Sequence, residues 1–221
     1  MTLSRTDDPT RIICFGDSIT EALEVRLEER WTSHLQNALD ELWPGGFDVV
    51  NRGIGGDTSA RGFDRLVTDV LPVMPGVLLV EFGLNDANVY DWARIPRVST
   101  DEFRLNLREF QRIALNYGGQ CVFIINHTLG AVPGSQGNAA SFQENFAPYN
   151  LVIRELAVTL NTPYIDLPSM MAAHRIDVET FVDAGGIHLS PLGNRLYAEM
   201  ILAGLQETIL SGNNTRASSG A

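Results

Sequence analysis

Val77-Leu78-Leu79-Val80-Glu81-Phe82-Gly83-Leu84-Asn85-Asp86 reads as an apolar strand that ends in a glycine turn carrying polar residues. Four consecutive aliphatic residues leave no polar face, the pattern of a parallel strand buried on both sides. Val122-Phe123-Ile124-Ile125 repeats it. Working outward, strands are expected at Arg11 to Phe15, Phe47 to Asn51, Val77 to Phe82, Cys121 to Asn126 and Pro163 to Leu167. Helical patterns lie between them. Trp31, Leu35, Leu39 and Leu42 share a face and stop at Pro44-Gly45-Gly46. Ser99-Thr100-Asp101-Glu102 resembles a capping box ahead of Phe103, Leu107, Phe110 and Ala114. Ser190 as N-cap and Pro191 at the first position open a final helix, striped by Leu192, Leu196, Met200, Ile201 and Leu205.

The alternation predicts the α/β class: a single-domain, three-layer α/β/α fold around a flavodoxin-like, doubly wound parallel sheet of five strands. The domain is expected over residues 1–210, with the small, polar stretch 211–221 as a disordered tail. In such sheets ligands bind beyond the carboxyl ends of the strands, so functional residues should follow each strand.

The chain has 221 residues, 44% of them hydrophobic, enough for one sizeable core. All 16 basic residues are arginine. Without lysine there is no P-loop, no kinase phosphate contact, no Schiff base and no Ser-x-x-Lys hydrolase. Twenty-seven acids leave a net charge of −11, which repels nucleic acid and anionic membranes as partners. Cys14 and Cys121 sit in apolar runs and read as core thiols. Two distant cysteines and four scattered histidines show no metal-ligand spacing, so neither a metal nor a cofactor is implied. No stretch approaches the roughly 18 to 20 apolar residues of a membrane span. MTLSRTDDPTR at the N-terminus has no hydrophobic signal region, which makes the cytoplasm the expected location. The oligomeric state is left open.

Four short segments fall at the expected edge. Phe15-Gly16-Asp17-Ser18-Ile19-Thr20 follows the first strand and reads as a turn with a helix cap or as a serine presented at the top of the sheet. Asn51-Arg52-Gly53-Ile54-Gly55-Gly56-Asp57-Thr58 follows the second. Its glycines do not complete a dinucleotide fingerprint, but they can turn an N–H toward a ligand. Gly83-Leu84-Asn85-Asp86 offers an amide donor after the third strand. Gly185-Gly186-Ile187-His188-Leu189-Ser190 sets a histidine, the usual base for a serine hydroxyl, before the last helix.

In this order the four blocks, FGDSIT, NRGIGGDT, GLND and GIHLSPLGN, resemble the SGNH (GDSL-type) hydrolase family across residues 15 to 194. The Gly-x-Ser-x-Gly of the α/β-hydrolases occurs nowhere. The resemblance implies Ser18 as nucleophile and His188 as general base and then acid. It also implies an oxyanion hole built from the N–H groups of Ser18 and Gly56 and the side-chain amide of Asn85. The family usually carries an aspartate three residues before the histidine, and that position here is Gly185. The nearest acid is Asp183. Three readings stand: Asp183 folds back onto His188; a backbone carbonyl orients the ring and leaves a Ser–His dyad; or another acid such as Asp177 or Glu179 serves, or the enzyme is impaired.

The resemblance implies a serine esterase acting on a small-molecule ester through an acyl-enzyme. Thr128 to Asn145 and Asp86 to Thr100 should border the site, and neither reads as a greasy lid. That favours acetyl or short-acyl esters, on a carbohydrate or small alcohol, over long-chain lipids. A thioesterase or lysophospholipase of the same family is one alternative; a non-catalytic, flavodoxin-like small-molecule binder is another. With no lysine as an amine base, His188 is the base in a plausible place, and the −11 charge favours neutral esters. His34 and His174 read as surface or partly packed residues, and His127 as core or site lining. Arg104, Arg108 and Arg112 form a solvated stripe, and Asp17 and Asp86 hold their loops.

Overall fold

A computed structural model describes residues 8–210, so the expected tail at 211–221 lies outside the described residues. Strand β1 (Thr10–Gly16) leads through α1 (Ser18–Glu21) and α2 (Trp31–Leu42) to β2 (Phe47–Gly53). Then come α3 (Ser59–Asp69), β3 (Gly76–Glu81), α4 (Leu84–Ala87), α5 (Thr100–Asn116) and β4 (Gln120–Ile125). The chain continues through α6 (Phe142–Leu160), β5 (Tyr164–Asp166), α7 (Leu167–Ala173), α8 (Val178–Phe181) and α9 (Pro191–Leu205).

All five strands are parallel, in the order β2-β1-β3-β4-β5. Helices cover both faces, with α2 against α9, and α3 against α5 and α5 against α6. The apolar runs are why the sheet is central: Ile12 to Phe15, Val77 to Val80 and Cys121 to Ile125 are all buried. Burying aliphatic side chains on both faces contributes about 1.5–3 kcal/mol each. Cys14 and Cys121 are free, and burial pushes both thiols up, which keeps them protonated and inert. No helix among the described residues is long and apolar enough to cross a membrane.

The helix faces follow the sequence patterns with two adjustments. Trp31, Leu35 and Leu39 are buried, but Leu42 is 51% exposed because α2 ends there, beyond the core. In α9 the buried face runs through Asn194, Tyr197 and Ile201, which turns Leu192 outward. Helix α6 carries the full capping box, Ser141 with Glu144, and contains Pro148. Ser99 caps α5 by accepting from the Glu102 N–H.

The strand order reverses between β2-β1 and β1-β3, and the crevice of a doubly wound sheet opens at that switch point. Register makes the crevice level. Gly16 pairs with Gly53 on one side and with Glu81 on the other, so three loops leave the sheet at one height.

Candidate active site

Gly16 ends β1 where there is no room for a side chain: a Cβ would stand 2.2 Å from Thr20 Oγ1 and 2.5 Å from the Glu81 carbonyl. Beyond it Asp17 caps the single turn α1 by accepting from the Ile19 N–H at 3.0 Å. Ser18 is thereby fixed as the first residue of that turn, with the Trp31 indole holding the Ile19 carbonyl at 2.8 Å.

The second loop closes as a turn, with the Asp57 N–H donating to the Ile54 carbonyl at 3.2 Å. Gly56 sits inside it at φ +77°, a left-handed conformation that favours glycine. Among the described residues the N–H groups of Ser18 and Gly56 donate to no protein group, and both residues lie at the surface of the crevice. In the third loop the Asn85 amide donates to Asp17 Oδ2 at 3.0 Å. Its carbonyl accepts from Arg97 Nη1 at 3.3 Å, and the second amide hydrogen is left for the crevice.

His188 arrives from the far end of the chain. Its Nε2 lies 3.0 Å from Ser18 Oγ, across 170 positions of sequence. A short antiparallel bridge, Val182 with Leu189, folds the intervening residues back on themselves. The Asp183 N–H donates to the His188 carbonyl at 2.7 Å, and Gly186, at φ +77°, turns the loop. Asp183 therefore faces His188 although it lies five positions before it in sequence. Its Oδ2 stands 3.9 Å from His188 Nδ1, inside ion-pair range but beyond a hydrogen bond, while Oδ1 accepts from the Gly185 N–H. Asp177 caps α8 by accepting from the Glu179 N–H, and neither acid has a contact to His188. Glu24 Oε1 lies 3.6 Å from Nε2, on the Ser18 side of the ring.

Buried acids support the loops. Glu81 Oε2 accepts from the Thr20 hydroxyl at 2.9 Å and from the Asp17 N–H at 3.4 Å. Burial pushes the Asp17 and Glu81 carboxyls above the ordinary range, and the nearby Asp17 charge raises Glu81 further. Asp86 binds the start of α3 through the Ser59 N–H and hydroxyl, and burial raises its pKa to about 7. Asp17 and Asp86 thus hold loops, as expected. His127 is buried beneath the His188 loop with Nε2 2.9 Å from the Ile187 carbonyl, and burial lowers its pKa to about 4. It is a support and not a lining residue.

Three contributors escape sequence reasoning. Arg65 lies over the Phe15 ring and donates to the Gly16 and Arg52 carbonyls and to Asp57, tying the first loop to the second. Arg97 ties the second to the third. Both act across loops, so no local pattern marks them. Glu81 does carry a signal, an acid at the end of an otherwise apolar strand. The segments 86–100 and 128–145 meet beside these loops, with Gln136 accepting from the Val89 N–H at 3.2 Å. They enclose a cavity of about 340 Å³ lined by Asn88, Tyr90, Val132, Gln136 and Phe142 among others. The second segment also reaches the histidine loop, where the Gly130 N–H donates to the Gly186 carbonyl at 2.8 Å.

A hydroxyl within reach of an imidazole, with backbone N–H groups at the same edge left free of protein acceptors, can perform acyl transfer. Comparison with known proteins agrees. The sequence profile of the GDSL-like lipase/acylhydrolase family matches residues 14–196. The chain is 27% identical to an uncharacterised lipoprotein, YqeF, of Bacillus subtilis, over 87% of this chain and 88% of that one. It is 40% identical to the esterase TesA of Pseudomonas aeruginosa over 77 residues, covering 34% of this chain and 37% of that one. The fold is similar to the crystal structure of a lipase/acylhydrolase from Enterococcus faecalis, with a TM-score of 0.74 at 24% identity, covering 90% and 96% of the two chains.

Proposed function

The chain belongs to the GDSL-like lipase/acylhydrolase family and is a carboxylic-ester hydrolase, and from that premise we propose that it cleaves short-acyl esters through an acyl-enzyme on Ser18. The observation that carries the proposal is the 3.0 Å separation of Ser18 Oγ and His188 Nε2. His188 takes the hydroxyl proton as Oγ bonds to the ester carbonyl carbon. The carbonyl oxygen becomes an oxyanion, met by the N–H groups of Ser18 and Gly56 and by the Asn85 amide. Collapse breaks the C–O bond, and His188 passes its proton to the departing alkoxide. Water, deprotonated by the same imidazole, then attacks the acyl carbon and releases the acid and Ser18.

Asp183 stabilises the imidazolium across 3.9 Å as a charge partner. It also stands where the usual acid is missing. A Cβ on Gly185 would lie 3.2 Å from Asp183 Oδ1 and 3.6 Å from Oδ2, so the carboxylate occupies space next to an acid at that position. The segments 86–100 and 128–145 beside the site carry polar residues such as Asn88, Ser135 and Gln136 and form no long apolar trough, which supports a small acyl or alcohol group, such as an acetyl ester of a sugar or small alcohol, over a long-chain lipid. Turnover of p-nitrophenyl acetate by the wild type, abolished in Ser18→Ala, is the expected result. An equal rate in the variant would remove Ser18 from the mechanism, and preference for long acyl chains or thioesters would overturn the substrate class.

A further inference from the structure

Two of the oxyanion donors proposed above sit on different loops, Gly56 after β2 and Asn85 after β3, yet they must converge within a few tenths of an ångström. One side chain touches both. Arg97, in the segment between α4 and α5, donates from Nη1 to the Asn85 side-chain carbonyl at 3.3 Å and from Nη2 to the Gly56 carbonyl at 2.9 Å. Its own N–H is anchored to the Asn88 carbonyl at 3.0 Å, and its guanidinium lies 5.5 Å from the Tyr90 ring centroid. Among the described residues no carboxylate lies within 4 Å of it, so its charge is spent on these two carbonyls.

We infer that Arg97 is a positioning residue of the oxyanion hole, acting through Asn85 and Gly56; the inference rests on the acyl-transfer reading of those two residues. The fork does three things. It fixes which way round the Asn85 amide sits: the guanidinium takes the oxygen, so the NH₂ must face Asp17 and the crevice. It holds the Gly56 carbonyl itself, pinning a turn whose glycine would otherwise be free to rotate. And it polarises the Asn85 amide, since a charge-assisted bond at the oxygen strengthens the N–H as a donor. A planar fork offers donors from two nitrogens a fixed distance apart, whereas an ammonium offers all of its donors from one nitrogen and cannot reproduce that spacing.

Arg97→Met, Arg97→Lys, Asn85→Ala and the double variant Asn85→Ala/Arg97→Met test this with p-nitrophenyl acetate, after thermal denaturation shows each folded. Because loss of one donor outright typically costs ~10²–10³ in kcat, loss of its positioning should cost on the order of 10-fold. The loss should fall on kcat with KM nearly unchanged, and a boronic acid that mimics the tetrahedral intermediate should bind more weakly in step. Arg97→Lys should stay close to Arg97→Met. The double variant should lose much less than the product of the single losses, since Arg97 then has one donor left to position. Wild-type kcat in Arg97→Met, full rescue by lysine, or multiplicative losses would each overturn the inference while Asn85→Ala stays impaired. Normal turnover in Asn85→Ala would instead overturn the oxyanion-hole reading beneath it.

Discussion

Asp183 reaches His188 by backbone pairing and not by sequence proximity. Its N–H holds the His188 carbonyl at 2.7 Å, and its carboxylate follows to 3.9 Å from Nδ1. At that distance it offsets imidazolium charge but shares no proton with the ring. Asp183→Asn should therefore lower kcat measurably, yet by less than the ~10⁴ lost when a hydrogen-bonded triad acid is disabled. Gly185→Asp in an Asp183→Ala background should recover part of the loss, because both side chains start from adjacent space. Turnover within a few-fold of wild type in Asp183→Asn would mean the ring is oriented without it. At this scale the meeting of Ser18 and His188 was legible, because each follows a strand or precedes a helix at one edge of the sheet, while the roles of Gly56 and Asn85 rest on the family resemblance. The Asp183 geometry was not, because it depends on a single antiparallel bridge, Val182 with Leu189, that no pattern announces.

Helix α9 connects the histidine loop to the core. Ser190 caps it by accepting from the Gly193 N–H at 2.9 Å, and its hydroxyl donates to the Thr180 carbonyl at 2.6 Å. One turn on, buried Asn194 accepts from the Trp31 N–H at 3.0 Å and links α9 to the start of α2. Loss of such a cap typically costs ~1 kcal/mol, so Ser190→Ala should lower Tm by about 2–4 °C in a domain of this size. An unchanged Tm would show that the cap contributes nothing here. The strands were readable to within a residue or two, since continuous aliphatic runs have few other uses. Ser190-Pro191 and Ser99 were equally plain. Helix α6 is less so, because Pro148 interrupts the repeat of its buried Phe142, Phe146, Tyr149 and Ile153.

Across the whole molecule, buried titratable groups set a pH response. His127 keeps its ring neutral by burial, with a folded pKa of about 4 against 6.5 when free. Between those values the unfolded chain binds more protons, so this contribution is complete above about pH 6.5 and lost as pH falls toward 4. Asp86 works the other way. Its folded pKa of about 7 means that the folded state holds a proton the unfolded state has released, so its contribution declines as pH rises from about 4 toward 7. Comparison with a variant separates the two. The stability gap between wild type and His127→Gln, from urea unfolding, should narrow by on the order of 3 kcal/mol between about pH 7 and about pH 4. A gap that does not change with pH would contradict a buried neutral ring. The fold itself was legible at this scale because β and α units alternate, and the switch point followed from the fold. The arginine braces at 65 and 97 were not, since each joins loops that only the assembled sheet brings together.

The central claim is that Ser18 becomes acylated, and covalent capture tests it most directly. Arginine is the chain's basic residue throughout, so trypsin releases Ser18 in one peptide, Ile12–Arg26. A fluorophosphonate should add its mass to that peptide at Ser18, in step with loss of esterase activity, and label neither Ser18→Ala nor acid-unfolded protein. Inactivation with the label on another residue, or full activity with Ser18 modified, would contradict the account.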